Sequence, residues 1–218
     1  MIVSFREDFV EYPTLRFTMG SDDRVGDPND DEGPSRQVSV GRFFVSSTPI
    51  TVAEFSRFVE ETGFVTVAEE QGSGFVGSFP EHELVADASW RRPRGAEHSA
   101  PSGDAWVTQV AWSDALEFSN WCGMSLLSEA QWERVAPSLG SELFPPLGTY
   151  WEWCNDFYDP TFHRDEQRVN PVGPHHGTHR VARGGGVRLT QRAALLPDLG
   201  AEDLTFRVCH HERTATVS

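Results

Sequence analysis

The sequence predicts an α+β domain with little regular structure: ordered loops, short helices and short strands. Three observations carry that expectation. Helical periodicity runs in only three short stretches, each soon ended by a stop signal. Strand-like alternation also comes in brief runs, cut by Gly, Pro and Asp. The chain nonetheless has 7 Trp and 15 Phe among 218 residues, so aromatic side chains are available to fill a core that long amphipathic elements do not supply. That length suits one domain, taken as residues 1–218, which buries a sizeable core without disulfides or a structural metal.

In chain order, "RQVSVGRFFVS" (36–46) alternates as strands do. The clearest helix opens at Thr51. Glu54 completes a capping-box pattern with it, Phe55, Phe58 and Val59 share a face, and Gly63 supplies the stop. Residues 71–105 show no period, after which "WVTQVAW" (106–112) reads as a strand. A short helix starts at Ser113 with Leu116, Phe118, Trp121 and Cys122 along one stripe, and another starts at Ser128 with Gln131 as its capping-box partner. Residues 155–180 again lack a period, and "LTFRVC" (204–209) reads as a closing strand. No internal repeat, linker or low-complexity segment interrupts this order.

Charge narrows the classes of function. With 33 acidic and 18 basic residues the net charge is -15, which repels a phosphate backbone, so nucleic acid is not an expected partner. Every basic residue is Arg, which excludes lysine Schiff-base chemistry and a lysine-dependent phosphate cradle. The acidic run "SDDRVGDPNDDEGP" (21–34) lacks the alternate spacing of an EF-hand and reads as a solvated loop. "MIVSFREDFVEYP" carries charges where a signal peptide needs an apolar centre, and no apolar stretch reaches membrane-spanning length. No membrane partner is expected, and the expected location is cytoplasmic. Cys122, Cys154 and Cys209 are too widely spaced for a zinc pattern or an even disulfide framework, and buried thiols are expected.

Several blocks, taken in order, resemble the formylglycine-generating enzyme (sulfatase-modifying factor) domain family. They begin with "FTMGSDD", "DEGPSRQVSV" and "TPITVAEFSRFVEETGFVTVAEEQG", and continue through "ASWRRPRG", "VTQVAWSDALEFSNWCG" and "LLSEAQWERVA". "YWEWCNDFYD", "NPVGPHHGTHRVARGGG" and "LTFRVC" complete the series. The resemblance implies a variant of the C-type lectin fold, with small antiparallel sheets and a loop-shaped ligand cleft. It also implies a range of activities. The family includes oxidases that convert a substrate cysteine to formylglycine with copper held by two cysteines. It also includes members that have lost those cysteines, some of which only bind, and one group tied to oxidative maturation of a siderophore.

Two departures from the family pattern matter. Arg183, Gly184, Gly185 and Gly186 stand at the Arg-Gly-Gly-Ser motif, but Val187 to Arg192 contain no Cys. Copper(I) requires soft thiolates that Leu189 and Thr190 cannot supply, so formylglycine generation by the known chemistry is excluded. The stretch between "ERVA" and "YWEWC", where the family carries calcium-binding loops, is reduced to "PSLGSELFPPLGT", so a calcium site is not expected.

For ligand contact, the resemblance points to Arg188 and Arg192 as a guanidinium pair for an acidic group, with Gln191 between them. Trp90 and Tyr150 are expected to form an aromatic wall. Arg183 and Arg207 are expected to pair with acidic residues, and Glu152 to be satisfied by backbone donors. His175, His176 and His179, joined by His210 and His211, are the weak candidates for metal, against the reading of a solvated turn. No catalytic residue is assigned. Two functions stay open: a tailoring enzyme, oxidative in type, acting on an amino-acid or peptide-like small molecule, or a noncatalytic ligand- or protein-binding domain.

Overall fold

The computed structural model describes residues 8–22, 31–78, 81–137, 147–162 and 168–211. The start of the chain, most of the acidic run and most of the shortened 137–149 stretch lie outside the described residues.

The fold is α+β, with four helices of which the longest has 11 residues among the described parts. α1 (Val52–Thr62) forms as the sequence signals. Thr51 accepts from the Glu54 backbone, the Glu54 carboxylate returns to the Thr51 N–H, and Gly63 closes the helix in the left-handed region. α4 (Glu129–Val135) repeats this with Ser128 and Gln131. α3 (Trp112–Trp121) starts one residue earlier than expected, because Asp114, not Ser113, reaches back to the backbone, accepting from the Ala111 N–H at 2.8 Å. α2 (Val67–Gln71), just ahead of the stretch without a period, is an addition to the three expected helices, and Thr66 and Glu69 form the same capping box there.

Among the described residues the strands build two four-stranded sheets and two hairpins. The first sheet has the order β1 (Phe9–Tyr12), β4 (Phe43–Ser46), β12 (Val208–His210), β7 (Ser125–Leu126). The second has the order β10 (Arg192–Leu195), β9 (Arg180–Arg183), β8 (Trp151–Phe157), β11 (Leu204–Phe206). The hairpins are β2 (Leu15–Met19) with β3 (Arg36–Val40), and β5 (Ser73–Val76) with β6 (Glu83–Ala86). All these pairings are antiparallel except β11 with β8.

Three expectations are corrected. "WVTQVAW" is not a strand: only Trp106 bridges, to Thr51, and Gln109 sits at φ 58° with its side chain turned into the β5–β6 hairpin, donating to the Phe75 and Pro93 carbonyls. "LTFRVC" is two strands in different sheets, divided at Arg207. That side chain is 1% exposed and stitches the sheets together, meeting Glu152 on β8 at 2.9 Å and donating to the Ser46 and Ser47 carbonyls at the end of β4. Glu152 is therefore satisfied by Arg207 and by the Trp132 indole, not by backbone donors.

Two aromatic-rich clusters form the core. One packs α1 and α3 against the second sheet through Phe55, Phe58, Phe118, Trp153 and Phe206. The other gathers Phe43, Met19, Trp132 and Cys209 around α4. The end of β9 pairs with the start of β8, α4 packs beside both, and the glycine motif leaves β9 at that junction.

Candidate functional site

Glycine is needed where the chain leaves β9. Gly184 has φ 98°, and a Cβ on Gly185 would fall 2.2 Å from the Trp151 indole nitrogen. At Gly186 it would fall 2.1 Å from the Gln191 carboxamide oxygen. The backbone therefore lies directly on Trp151 and Gln191. Gln191 closes the loop, because that oxygen accepts from the Val187 N–H at 3.0 Å.

Beneath the loop lies a buried charge network. Arg183, fully buried, donates to Glu129 at 2.8 Å, to Glu133 at 2.5 Å and to the Leu189 carbonyl. Arg192 grips both oxygens of Glu129, at 2.8 and 2.9 Å, and its guanidinium lies 4.6 Å from the Tyr158 ring centre. Arg188 pairs with Glu32, which also accepts from the Thr190 hydroxyl. Burial pushes Glu32 up, but the Arg188 and Thr190 hydrogen bonds outweigh it and leave this carboxyl below its usual range. Asp156, buried beside the network, is pushed up to about 7 by desolvation and then by Glu129.

These placements revise the expected arginine pair. The Arg192 side chain is 1% exposed and committed to Glu129, so it does not stand open in a cleft. Arg188 keeps 31% exposure at the rim. Arg183 and Arg207 pair with glutamates as expected, but in the interior.

Tyr150 does sit beside the glycine loop, its carbonyl 3.0 Å from where a Gly184 Cβ would be. Its ring meets Trp106 edge to face at 5.4 Å. Trp90 is not part of this wall: it is 2% exposed, packs on Phe55, and its indole donates to Glu69. The aromatic partner of Tyr150 is Trp106, which the sequence pattern marks as a strand position.

A second unforeseen arrangement lies one residue before β11. His82 Nε2 lies 2.9 Å from Asp203 Oδ1, with both side chains 10% exposed. The Asp203 carbonyl accepts from the Trp151 N–H at 2.7 Å, which fixes this pair to the strand that carries the glycine floor. Nothing local signals an interaction between residues 121 positions apart.

His175 and His176 are exposed, His179 contacts Thr178, and His210 stacks on Phe44 at 4.9 Å. Among the described residues no group of three or more His, Cys, Asp or Glu is arranged to hold a metal. The donors also fail to fit the family's copper. Residues 187–192 contain no thiol, and Cys122, Cys154 and Cys209 are all buried. Desolvation pushes Cys122 and Cys209 up to about 12, and Cys154 is raised as well. A separate cavity of about 160 Å³ opens over β7 and β12, lined in part by Ser128, Gln131, Asn155 and Cys209.

An α+β domain of small sheets, with a glycine loop seated on a Trp-Glu-Trp strand, is a C-type-lectin-like domain of the formylglycine-generating type. The chain belongs to the sulfatase-modifying factor enzyme 1-like domain family, whose model matches residues 6–143. A formylglycine-generating enzyme of Bos taurus is 30% identical, covering 91% of this chain and 73% of that one. That alignment runs over 276 positions against a chain of 218, so the relative carries stretches absent here. An inactive Cα-formylglycine-generating enzyme 2 of Mus musculus is 27% identical over 91% of this chain and 84% of its own. Among solved structures, PvdO from Pseudomonas aeruginosa shares the fold at TM-score 0.68 and 20% identity, covering 94% of each chain. No helix among the described residues is long and apolar enough to cross a membrane.

Proposed function

We propose that this domain is a tailoring enzyme for an amino-acid or peptide-like small molecule, working at the glycine-floored cleft by oxidative chemistry other than formylglycine generation. What supports the reading is the close packing of Gly184 to Gly186 on Trp151 and Gln191 beside Tyr150, whose ring meets Trp106, at the segment where the copper thiolates are missing. Flat apolar walls with few polar groups suit a small planar or amino-acid-derived ligand. In this reading Arg188, at the rim, meets the ligand's acidic group, while Arg192 acts from beneath by holding Glu129.

A noncatalytic binding domain is the second reading. It is favoured by the pairing of both loop arginines with glutamates and by the similarity to a relative named inactive.

A panel of N-acyl amino acids and dipeptides, screened by thermal shift and then by mass change under air, tests the first reading. The expected result is a stabilising ligand that is converted, with both effects lost in Tyr150→Ala and Trp106→Ala. Binding without any mass change would establish the second reading. Binding that survives both substitutions would remove the cleft from consideration.

A further inference from the structure

We propose that the cavity over β7 and β12 binds a small uncharged amide, whose carbonyl meets the Gln131 carboxamide while its apolar body covers the cavity floor. The cavity shares no lining residue with the glycine loop, so the proposal stands apart from the enzymatic reading. Gln131 carries the argument. Its Oε1 accepts from the Ser128 N–H at 2.8 Å, and Cys209 Sγ lies 3.8 Å from the same oxygen. The backbone donor settles which end of the carboxamide is which, so Nε2 is the other end. Among the described residues nothing accepts from Nε2, although Gln131 is 6% exposed. An N–H pair at that depth needs an acceptor, and Gln131 borders this cavity.

Size and lining select the ligand. A cavity of about 160 Å³ admits a benzene-sized molecule. Val40, Leu126 and Cys209, all buried, give it an apolar floor, and the lining contains no carboxylate or guanidinium. An ion entering it would lose hydration without meeting a counter-charge. Water meets Nε2 but finds few further partners along that floor, whereas a carbonyl on an apolar body supplies the acceptor and covers the floor as well. The rim is fixed in advance. Asn170 Oδ1 accepts from the Gly41 N–H at 2.6 Å, and the Asn170 N–H donates to the Ser39 carbonyl at 2.7 Å. The Asn155 N–H donates to the Leu127 carbonyl at 2.8 Å, and the Asn155 carbonyl accepts from Arg180 at 2.6 Å. These bonds hold two rim residues whose side-chain amides offer donors and acceptors to the ligand's own N–H and carbonyl, which lowers the ordering cost of binding.

Titration of the isotope-labelled intact protein with isobutyramide, followed by NMR at the assigned side-chain NH2 group of Gln131, tests the site. The expected result is a saturable shift of that group with a Kd of roughly 1 to 10 mM, in keeping with so small a ligand. Contacts from the isobutyramide methyls to the methyls of Val40 and Leu126 should accompany it, and this readout needs no variant. Isobutyrate, of the same shape but charged, should bind about tenfold more weakly or worse. Gln131→Glu keeps the acceptor for the Ser128 N–H and removes the donor, so the helix cap survives while isobutyramide affinity falls by about tenfold or more. No saturable change at Gln131 up to about 100 mM isobutyramide overturns the proposal and leaves the cavity to water. Equal binding of isobutyrate, or undiminished isobutyramide binding by a folded Gln131→Glu protein, overturns it as well.

Discussion

Single residues change meaning most when their partners are known. From sequence, Arg188 and Arg192 look alike. In the structure one is a rim residue on Glu32 and the other a buried clamp on Glu129. Truncating a buried pair leaves its partner uncompensated, so Arg192→Ala is expected to destabilise the domain by about 3 kcal/mol, and Arg188→Ala by about 1 kcal/mol or less. Paired denaturant melts test that ordering, and equal losses would contradict it. Asp156 gives a second prediction. Its folded pKa, about 7, lies above the unfolded value, so the native state holds a proton that the unfolded chain releases between roughly pH 4 and 7. That contribution is fully present at acid pH and is lost as pH rises through about 7. Asp156→Asn keeps an acceptor for the Glu129 N–H and removes the titration, so its stability relative to wild type should climb across that window. A flat difference in melts at pH 4, 5.5 and 7 would show that Asp156 does not carry the proton.

At the scale of elements, the helices were legible because a capping box is a local device: Thr51 with Glu54 and Ser128 with Gln131 lie three residues apart and need no tertiary partner. The same signature at Thr66 and Glu69 was there to be read, but α2 is five residues long, too short to show a period. "WVTQVAW" misled because its alternation reflects packing of Val107 and Val110 into the core from an irregular segment, with Gln109 forced to positive φ by its bonds to the hairpin. The glycine loop gives the prediction at this scale. A Cβ at Gly185 meets the rigid Trp151 ring, not a flexible side-chain end, so Gly185→Ala should move that ring and open the cleft floor. Weaker ligand binding with a lower melting temperature is expected. A variant that binds and melts like wild type would show that the floor is not defined by this contact.

Across the whole molecule, the three thiols are interior groups and not reagents. Cys122 and Cys154 have no exposed surface and Cys209 has 1%. A thiol-specific chromophoric disulfide should find no reactive Cys in the native protein and 3 after denaturation, so thiol release follows global unfolding. Supplied with copper, oxygen and a cysteine peptide of the sulfatase type, the protein should yield no aldehyde above a metal-only blank. Rapid native labelling of any one Cys, or aldehyde formation, would reopen the thiolate chemistry.

By itself the sequence determined the α+β class, the capped helices, an aromatic core, an overall acidic charge and the absence of a cysteine pair after Arg183. Each of these follows from composition or from residues a few positions apart, where local geometry decides the outcome. Only the tertiary structure decided that Arg207 divides its run between two sheets, that Glu129 gathers Arg183 and Arg192, that Trp106 stands against Tyr150, and that His82 meets Asp203. Those pairings join residues 44 to 161 positions apart. Charge and aromatic character make many such partners available, and strand order and register select among them, because only the folded chain brings one candidate within hydrogen-bonding distance and removes water from between the two.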